Sequence, residues 1–310
     1  MNDSADSVKG GAPLACSVGV MAYNEEMNIG RLLGRLLEQE LQRVRISEII
    51  VVASGCRDDT EVAVRRVAER DPRVRLISQP NRKGKASAIQ EFLRESREDI
   101  LLLVGADTLP ARDAVERLVV PLADRGVGMT GARPVPLNGR DSFCGFAVHL
   151  FWELHHEAAK RKAKCGEMVA FKRVLSRIPA CVVVDEPYIA GVVRKEGLHV
   201  AYCPDAVVKN QGPATVVEIL MRRRNIVAGY LELARRYRIR TRVGSRVEVA
   251  VFLLKKIFRA PARAHWVLGA VGLEVMARFL GWWDFRFRRG RLYVWPVAWS
   301  TKRLDDEENG

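Results

Sequence analysis

An acidic residue follows a strongly apolar segment in the first half of the chain. Residues 100–104 are five consecutive aliphatic side chains, and Asp107 comes three positions later. Such a run predicts a strand that is buried on both faces, as in a parallel sheet. A carboxylate just past the carboxyl end of this strand can hold a divalent cation against a phosphate. The alternative is that Asp107 or Thr108 caps a helix predicted over residues 111–119.

A second pair of carboxylates, Asp185 and Glu186, follows the valine run 182–184. Three consecutive β-branched residues predict a strand, so this pair is also expected at a strand end. A positioned carboxylate can remove the proton of an attacking hydroxyl group and so act as a general base. The alternative is that one of the two acids caps a following helix. Pro187 is expected to stiffen the loop.

Alternating strand and helix patterns must position these groups. Strands are predicted at 17–22, 47–53, 74–77 and 100–104, with helices between them at 29–37, 60–69 and 87–95. This order predicts an α/β fold with a doubly wound, mainly parallel sheet and a ligand crevice at the carboxyl ends of its strands. The chain lacks a Gly-x-Gly-x-x-Gly motif after the first strand and lacks a Walker A sequence, which argues against a dinucleotide site and against a P-loop ATPase.

Composition restricts the class of protein further. Hydrophobic content of 48% in 310 residues suffices for a large core, and the six cysteines form no Cys-x-x-Cys pair. This cysteine pattern argues against a zinc site and a disulfide scaffold and indicates a reducing cytoplasm. The net charge of +14 favours phosphate-bearing partners, but no nucleic-acid-binding signature is present. Residues 1–15 are predicted to be a disordered tail rather than a secretory signal.

The middle of the chain predicts short strands at 126–131, 168–174 and 200–202 and helices at 141–164 and from about 215. His149 and His156 could share one helix face, but no third metal ligand follows at a helical spacing, so polar or core roles are favoured. Residues 222–224 are three successive arginines. They span about 300° of a helix, so they cannot all face one site.

Residues 236–310 form a basic, aromatic extension. Apolar helices are predicted at 247–258 and 265–283. Glu274 and Arg278, four positions apart in the second, can pair on one face and argue against a transmembrane span. We expect peripheral membrane contact through residues 246–299; the alternative is that these helices pack on the catalytic domain or form a dimer. The flanking basic and aromatic residues are Arg259, Arg263, Arg286, Arg288, Arg289, Trp266, Trp282, Trp283, Trp295 and Trp299.

The order of these motifs over residues 16–230 resembles that of a family 2 glycosyltransferase with the GT-A fold. The family's first loop is Tyr-Asn-Glu-Glu, which residues 23–26 match letter for letter. The family's acidic second loop corresponds to residues 54–60, and its Asn-x-Gly-Lys-Gly loop corresponds to residues 81–85. Its Asp-x-Asp metal motif corresponds to residues 105–107. Its acidic base motif and its Gln-x-x-Arg-Trp segment correspond to Asp185-Glu186 and residues 222–224. The resemblance implies a catalytic domain over residues 16–235.

The resemblance also implies an activity: inverting transfer of a single sugar from a nucleoside-diphosphate sugar to a hydroxyl or phosphate of a glycan or lipid-linked acceptor. It assigns Glu186 as the catalytic base, with Asp185 as the alternative, and Asp107 as a ligand of Mg²⁺ or Mn²⁺. Together with the membrane contact expected of residues 246–299, this predicts a peripheral enzyme on the inner face of the cell membrane. The residues expected to bind the nucleotide sugar are Ala22, Tyr23, Asn24, Glu25, Ser54, Gly55, Lys85, Gly166, Arg222 and Arg223.

The chain departs from the family pattern at several positions. Gly105 replaces the first Asp of the metal motif, which keeps open a non-catalytic or metal-independent scaffold. Ala53 and Ser54 stand where many members carry Asp, which argues against recognition of a uracil base. The Gln and Trp of the late motif are missing, which argues against a processive polymer synthase. A sugar-phosphate nucleotidyltransferase is disfavoured because its Gly-rich, basic first loop is absent.

Overall fold

The computed structural model of the chain describes residues 12–240, 245–287, 298–302 and 304. The strands are β1 (Leu14–Ala22), β2 (Val44–Ser54), β3 (Val74–Gln79), β4 (Ile100–Gly105), β5 (Thr108–Pro110), β6 (Val127–Pro136), β7 (Met168–Lys172) and β8 (His199–Asn210). The helices are α1 (Ile29–Leu37), α2 (Thr60–Ala68), α3 (Lys85–Glu95), α4 (Ala114–Val119), α5 (Phe143–Arg161), α6 (Asp185–Lys195), α7 (Val216–Arg236), α8 (Arg246–Arg259) and α9 (Ala264–Phe287).

These strands form a single sheet in the order β3-β2-β1-β4-β7-β6-β8-β5. The first half of the sheet, β3 to β4, is entirely parallel. Beyond β4 the sheet is mixed, because β7 runs antiparallel to both β4 and β6, and β5 runs antiparallel to β8. The predicted α/β class with a mainly parallel sheet is confirmed, and the carboxyl ends of β1, β2 and β4 meet at one edge as expected.

Two hydrophobic layers cover the sheet because successive strand residues point to opposite faces. In β4, Leu102 packs in the layer that contains α1, α2 and α4. Its neighbour Leu103 packs in the layer that contains α3 and α6. Gly19 in β1 permits the second layer to approach closely, since a Cβ there would lie 2.7 Å from the Phe92 ring of α3. The aliphatic run of β4 is therefore buried on both faces, as predicted.

Two local predictions are wrong. Thr108 lies in β5 and α4 begins only at Ala114, so neither Asp107 nor Thr108 caps that helix. Residues 182–184 form no strand; Asp185 and Glu186 lie instead in the first turn of α6. Val182 and Val184 are buried in the core without a strand partner, so their β-branched side chains serve packing. Acidic side chains in a first helical turn interact favourably with the helix dipole.

Element ends differ from the predictions in a few places. β1 begins at Leu14, so the last two residues of the predicted tail belong to the sheet, and residues 1–11 lie outside the described residues. The short strand predicted at 200–202 is the start of the longer β8. Of the predicted C-terminal basic and aromatic residues, Arg288, Arg289 and Trp295 lie outside the described ranges.

The last long helix, α9, packs against α5 and α7. Val267, Ala270 and Leu273 of α9 are buried in one cluster with apolar residues of α5 and α7. Glu274 accepts from Arg278 at 2.9 Å, as predicted, and also from Arg223 of α7 at 2.8 Å. Within the described ranges, none of the helices combines the length and the apolar character that a transmembrane span requires.

Candidate active site

A cleft of about 470 Å³ opens at the carboxyl ends of the parallel strands. Most predicted site residues line it: Ala22, Tyr23, Glu25, Ser54, Lys85, Asp107, Gly166, Asp185, Glu186, Arg222 and Arg223. The predicted residues Asn24 and Gly55 are not among the lining residues and lie in the loops behind them. The fold thus brings together side chains that are up to 201 positions apart, between Ala22 and Arg223.

Asn24 and Gly55 hold the first two loops in shape. Asn24 has a φ of +51°, and its Oδ1 accepts from the backbone N–H of Arg57 at 2.9 Å. Asn tolerates this left-handed conformation better than most residues. Gly55 has a φ of +68°, and a Cβ there would lie 2.4 Å from the backbone nitrogen of Arg82. Both residues thus fix the backbone of their loops, and their contact with a nucleotide stays a prediction.

Tyr23 lies near two cationic side chains in the cleft. The Arg82 guanidinium carbon is 4.0 Å from the centre of the Tyr23 ring. Lys302 Nζ donates to the Tyr23 carbonyl at 2.7 Å and forms an ion pair with Glu25. Lys302 was missed in the sequence because it lies 277 positions from Glu25. No local pattern links residues that far apart.

Glu25 is a buried carboxyl group held by several partners. Its Oε2 accepts from Asn28 Nδ2 at 2.9 Å, and its backbone N–H donates to Thr60 Oγ1 at 2.7 Å. Burial and the nearby Asp107 raise the pKa of Glu25 while Lys302 opposes them, and the net result is a pKa of about 7. A carboxyl group whose pKa is this high can hold or release a proton near neutral pH.

The acidic pair lies beside Lys85 at the start of α6. Lys85 Nζ is 3.0 Å from Asp185 Oδ2 and 3.3 Å from Glu186 Oε1. Asp185 is the more buried, with 6% of its side chain exposed against 19% for Glu186. Burial and Glu186 raise the pKa of Asp185 while Lys85 opposes them, and the net result is a pKa of about 6. Burial disfavours the Lys85 ammonium, but the two carboxylates outweigh this effect and raise its pKa.

Asp107 shares the cleft with a second carboxylate, Glu167, which directly follows the predicted site residue Gly166. Arg222 Nη2 donates to Glu167 Oε1 at 2.6 Å. Burial raises the pKa of Glu167, which Asp107 and Glu186 raise further and Arg222 lowers. Its position next to Gly166 was the available signal, but a lone acid at that place resembles a surface residue in sequence.

The residues present fit a divalent cation that is shared with a ligand. In the ranges 12–240, 245–287, 298–302 and 304, no three His, Cys, Asp or Glu side chains form a complete cage. Mg²⁺ and similar ions often take only one or two protein carboxylates and draw their other ligands from phosphates and water. The Asp107 carboxylate lies against Gly105, because a Cβ there would be only 2.9 Å from Asp107 Oδ1.

The three arginines at 222–224 contact different partners, in the cleft and on helix α9. Arg222 turns into the cleft toward Glu167. Arg223 lines the cleft but also donates to Glu274 of α9, and Arg224 pairs with Asp284 of α9. As expected from helical geometry, the three side chains do not converge on one site.

The remaining candidate groups have structural partners. His149 Nε2 lies 2.7 Å from the Asn138 carbonyl, and His156 Nδ1 lies 2.7 Å from the Tyr202 hydroxyl. Both thus have the polar roles that the sequence favoured over a metal site. All six cysteines are free thiols.

Comparison with known proteins agrees with this geometry. Residues 17–168 match the family described as Glycosyl transferase family 2. The chain is 35% identical over 104 residues to the dolichyl-phosphate beta-glucosyltransferase ALG5C of Trichomonas vaginalis, covering 32% of this chain and 31% of the relative. It is 24% identical over 214 residues to an N-acetylglucosaminyltransferase of Bradyrhizobium diazoefficiens, covering 62% and 44%. The chain therefore spans less than half the length of these curated relatives.

A solved structure resembles nearly the whole chain. The mannosyltransferase PcManGT from Pyrobaculum calidifontis, in complex with GDP-Man and Mn²⁺, is 25% identical with a TM-score of 0.62 and covers 90% of this chain and 88% of its own. Glucosyl-3-phosphoglycerate synthase from Mycobacterium tuberculosis has a TM-score of 0.52 at 23% identity, which shows a common fold. Together with the motifs in the cleft, these matches show that the chain carries a glycosyltransferase domain of family 2 with the GT-A fold.

Proposed function

We propose that this protein transfers a single sugar from a nucleoside-diphosphate sugar to a hydroxyl group of a phosphate-bearing, lipid-linked acceptor, with inversion at the anomeric carbon. The observation that carries the proposal is the position of Glu186, which lies where the donor cleft meets a second, basic cavity. Five residues line both spaces: His155, Cys165, Glu186, Pro187 and Tyr230. A base at this junction can reach an oxygen of an acceptor that enters from the basic side.

The donor end of the proposed site has the chemistry of a diphosphate site. Arg222 and Lys85 supply positive charge in the same cleft as Asp107. Arginine suits phosphate because its planar fork can donate two hydrogen bonds at once. A divalent cation, when bound, would stabilise the charge that develops on the leaving diphosphate. We infer that Asp107 holds this cation and that Arg222 and Lys85 neutralise the remaining charge.

The acceptor end of the proposed site is cationic. Lys162, Lys164, Arg194 and Arg240 line the cavity beyond Glu186. Burial, Arg223 and Arg278 lower the pKa of Lys164 while Glu274 opposes them, and the net result is a pKa of about 8. A buried ammonium that is surrounded by like charge favours an anionic ligand. The curated relatives include a dolichyl-phosphate beta-glucosyltransferase and a dolichol-phosphate mannosyltransferase, whose names carry a lipid phosphate.

We infer that the acceptor phosphate serves as an anchor and that a hydroxyl group makes the attack. A phosphate monoester has already lost most of its second proton at neutral pH, so it does not need a base. The acidic pair would also repel a phosphate that attacked directly beside it. A hydroxyl group, by contrast, needs a carboxylate such as Glu186 to accept its proton.

A transfer assay tests the function. Purified protein with Mn²⁺ is incubated with a panel of nucleotide sugars and with short-chain polyprenyl phosphate or polyprenyl-diphosphate sugars as acceptors. We expect transfer to a sugar hydroxyl of the polyprenyl-diphosphate sugar, with inverted configuration at the anomeric carbon of the transferred sugar. Mass spectrometry detects the product, and the anomeric coupling in NMR spectra gives its configuration. A retained configuration would contradict the mechanism. Absence of both transfer and donor hydrolysis would favour the alternative of a non-catalytic scaffold, which the missing acid at Gly105 leaves open.

Replacing Lys164 with alanine is expected to raise the KM for a phosphate-bearing acceptor about tenfold or more, while the KM for the donor is unchanged. A charge-assisted hydrogen bond contributes about 1.5–3 kcal/mol, and removal of this disfavoured buried charge should not unfold the protein. Initial rates at varied acceptor concentration check this. Arg66→Ala on the exposed face of α2 is the matched control. An equal rise in the KM for an acceptor that lacks phosphate would contradict the anchor.

The lipid-linked acceptor is supported by an apolar face on α8 and α9. Val247, Val251, Leu254 and Phe258 recur on one side of α8 and are 44–81% exposed. On α9 the exposed apolar side chains are Leu268, Val275, Met276, Phe279, Trp282, Trp283 and Phe287. An exposed apolar stripe with basic residues near it and aromatic rings within it is typical of a helix that lies in the membrane interface.

We expect the protein to float with anionic phospholipid vesicles in a density gradient and to do so less at high salt. The double substitution Phe279→Glu and Trp283→Glu should abolish flotation, because it places charge on the apolar face without disturbing the core. Val62→Glu, at an exposed apolar residue of α2, is the control. Flotation that persists in the double variant would place the membrane contact elsewhere.

A further inference from the structure

The missing acid at Gly105 leaves a space that a carboxylate from another strand faces. A Cβ built on Gly105 would lie 2.9 Å from Asp107 Oδ1 and 3.7 Å from Glu167 Oε2. Both oxygens therefore face the space that a side chain at position 105 would occupy. In the family pattern this is the position of the first Asp of the metal motif.

We propose that Glu167 supplies the second protein carboxylate of the divalent-cation site and so replaces the acid that is absent at Gly105. The inference rests on the proposed function and deepens it, because it concerns the same donor site. It predicts that Asp107 and Glu167 bind the cation together, with phosphate oxygens and water as the other ligands.

The pairing of β4 with β7 explains why Glu167 is in the right place. Val104 is opposite Met168 in the antiparallel register, so residues 105 and 167 are the next positions along the two strands. The backbone N–H of Gly105 donates to the Glu167 carbonyl at 3.2 Å. Glu167 has a φ of +59°, a left-handed conformation that is uncommon for a residue other than glycine and is found at functional sites.

The two oxygens of the Glu167 carboxylate have different surroundings. Oε1 accepts from Arg222 Nη2 at 2.6 Å and from Asn210 Nδ2 at 3.3 Å. In the part of the chain that the structure describes, both of these side-chain hydrogen bonds go to Oε1, while Oε2 lies 3.7 Å from the point where a Cβ on Gly105 would be. A carboxylate that is fixed through one oxygen is held ready to bind a cation through the other.

Mn²⁺ binding, followed by the EPR signal of the free ion in the presence of inorganic pyrophosphate, tests this inference. Glu167→Gln is expected to weaken Mn²⁺ binding at least about tenfold, as Asp107→Asn should also do. Glu48→Gln is the matched control, because Glu48 is likewise a largely buried carboxylate paired with an arginine, 2.7 Å from Arg75. Melting temperatures confirm that each variant is folded. Unchanged Mn²⁺ affinity in Glu167→Gln would overturn the inference.

A second substitution separates the loss of a ligand from an indirect effect. Adding Gly105→Asp to Glu167→Gln restores a carboxylate in the same space and is expected to recover most of the Mn²⁺ affinity. If adding Gly105→Asp does not restore the Mn²⁺ affinity, the loss in Glu167→Gln comes from Arg222, whose carboxylate partner has been removed. That result would overturn the ligand role of Glu167. Failure of the proposed function is distinguishable from this result, since it would appear as absence of sugar transfer from every donor, whatever the Mn²⁺ affinity.

Discussion

Replacing Glu186 with glutamine is expected to lower kcat for sugar transfer about 10³-fold, while the KM for the nucleotide sugar stays the same. General-base catalysis by a positioned carboxylate contributes about 10²–10⁴-fold. Glutamine keeps the size of the side chain but cannot accept a proton. Lys85 would keep its ion pair with Asp185 at 3.0 Å, so the local structure should persist. Steady-state rates of wild type and variant at saturating donor check this.

Asp185→Asn is the informative comparison for the assignment of the base. Asp185 is the more buried of the two acids, so we expect it to position Lys85 and to have a smaller effect on kcat. A larger loss in Asp185→Asn than in Glu186→Gln would exchange their roles. A loss below tenfold in Glu186→Gln, with full transfer to a lipid phosphate, would show that the phosphate itself attacks.

Replacing Asp107 with asparagine is expected to raise the Mn²⁺ or Mg²⁺ concentration needed for half-maximal transfer at least about tenfold and to lower kcat/KM for the donor by about 10²–10³-fold. A cation at the leaving diphosphate contributes several kcal/mol to stabilisation of the transition state, and each 1.4 kcal/mol corresponds to about tenfold in rate. Rates at varied Mn²⁺ concentration measure the effect.

The control for this substitution is Asp113→Asn, since Asp113 is another acid, in the segment between β5 and α4, but pairs with Arg117 on α4. It should retain the metal dependence of the wild type. If Asp107→Asn kept full, metal-dependent transfer, the assignment of Asp107 would be wrong. If wild-type transfer were itself unaffected by EDTA, the metal-independent alternative raised by Gly105 would stand.

The first half of the fold could be predicted because its signals are local. The alternation of apolar strands with amphipathic helices from β1 to β4 depends on residues a few positions apart, and each loop after a strand carries polar motifs of its own. Tyr23, Lys85 and Asp107 were therefore placed in a shared crevice by one topological rule, that parallel strands end at the same edge. The structure brings these three residues into one cleft.

The acidic pair shows where local signals mislead. Val182 and Val184 have the β-branched composition of a strand, yet they are buried in a segment that lacks a strand partner. Strand formation requires a partner with free backbone groups, which composition cannot supply. Asp185 and Glu186 consequently reach the cleft from the first turn of α6. Their interpretation as the two candidates for the general base does not depend on whether a strand or a helix carries them.

The sequence by itself determined the α/β class, the positions of the polar loops and the types of residue that could bind a nucleotide sugar. Only the tertiary structure brought Lys302 to Glu25, set a basic cavity beside Glu186 and turned Glu167 toward the space at Gly105. The physical reason is that these contacts join residues tens to hundreds of positions apart, whose distance depends on strand register and helix packing. Gly105, an isolated defect in the motif, gains a neighbour that can compensate for it once β7 lies beside β4.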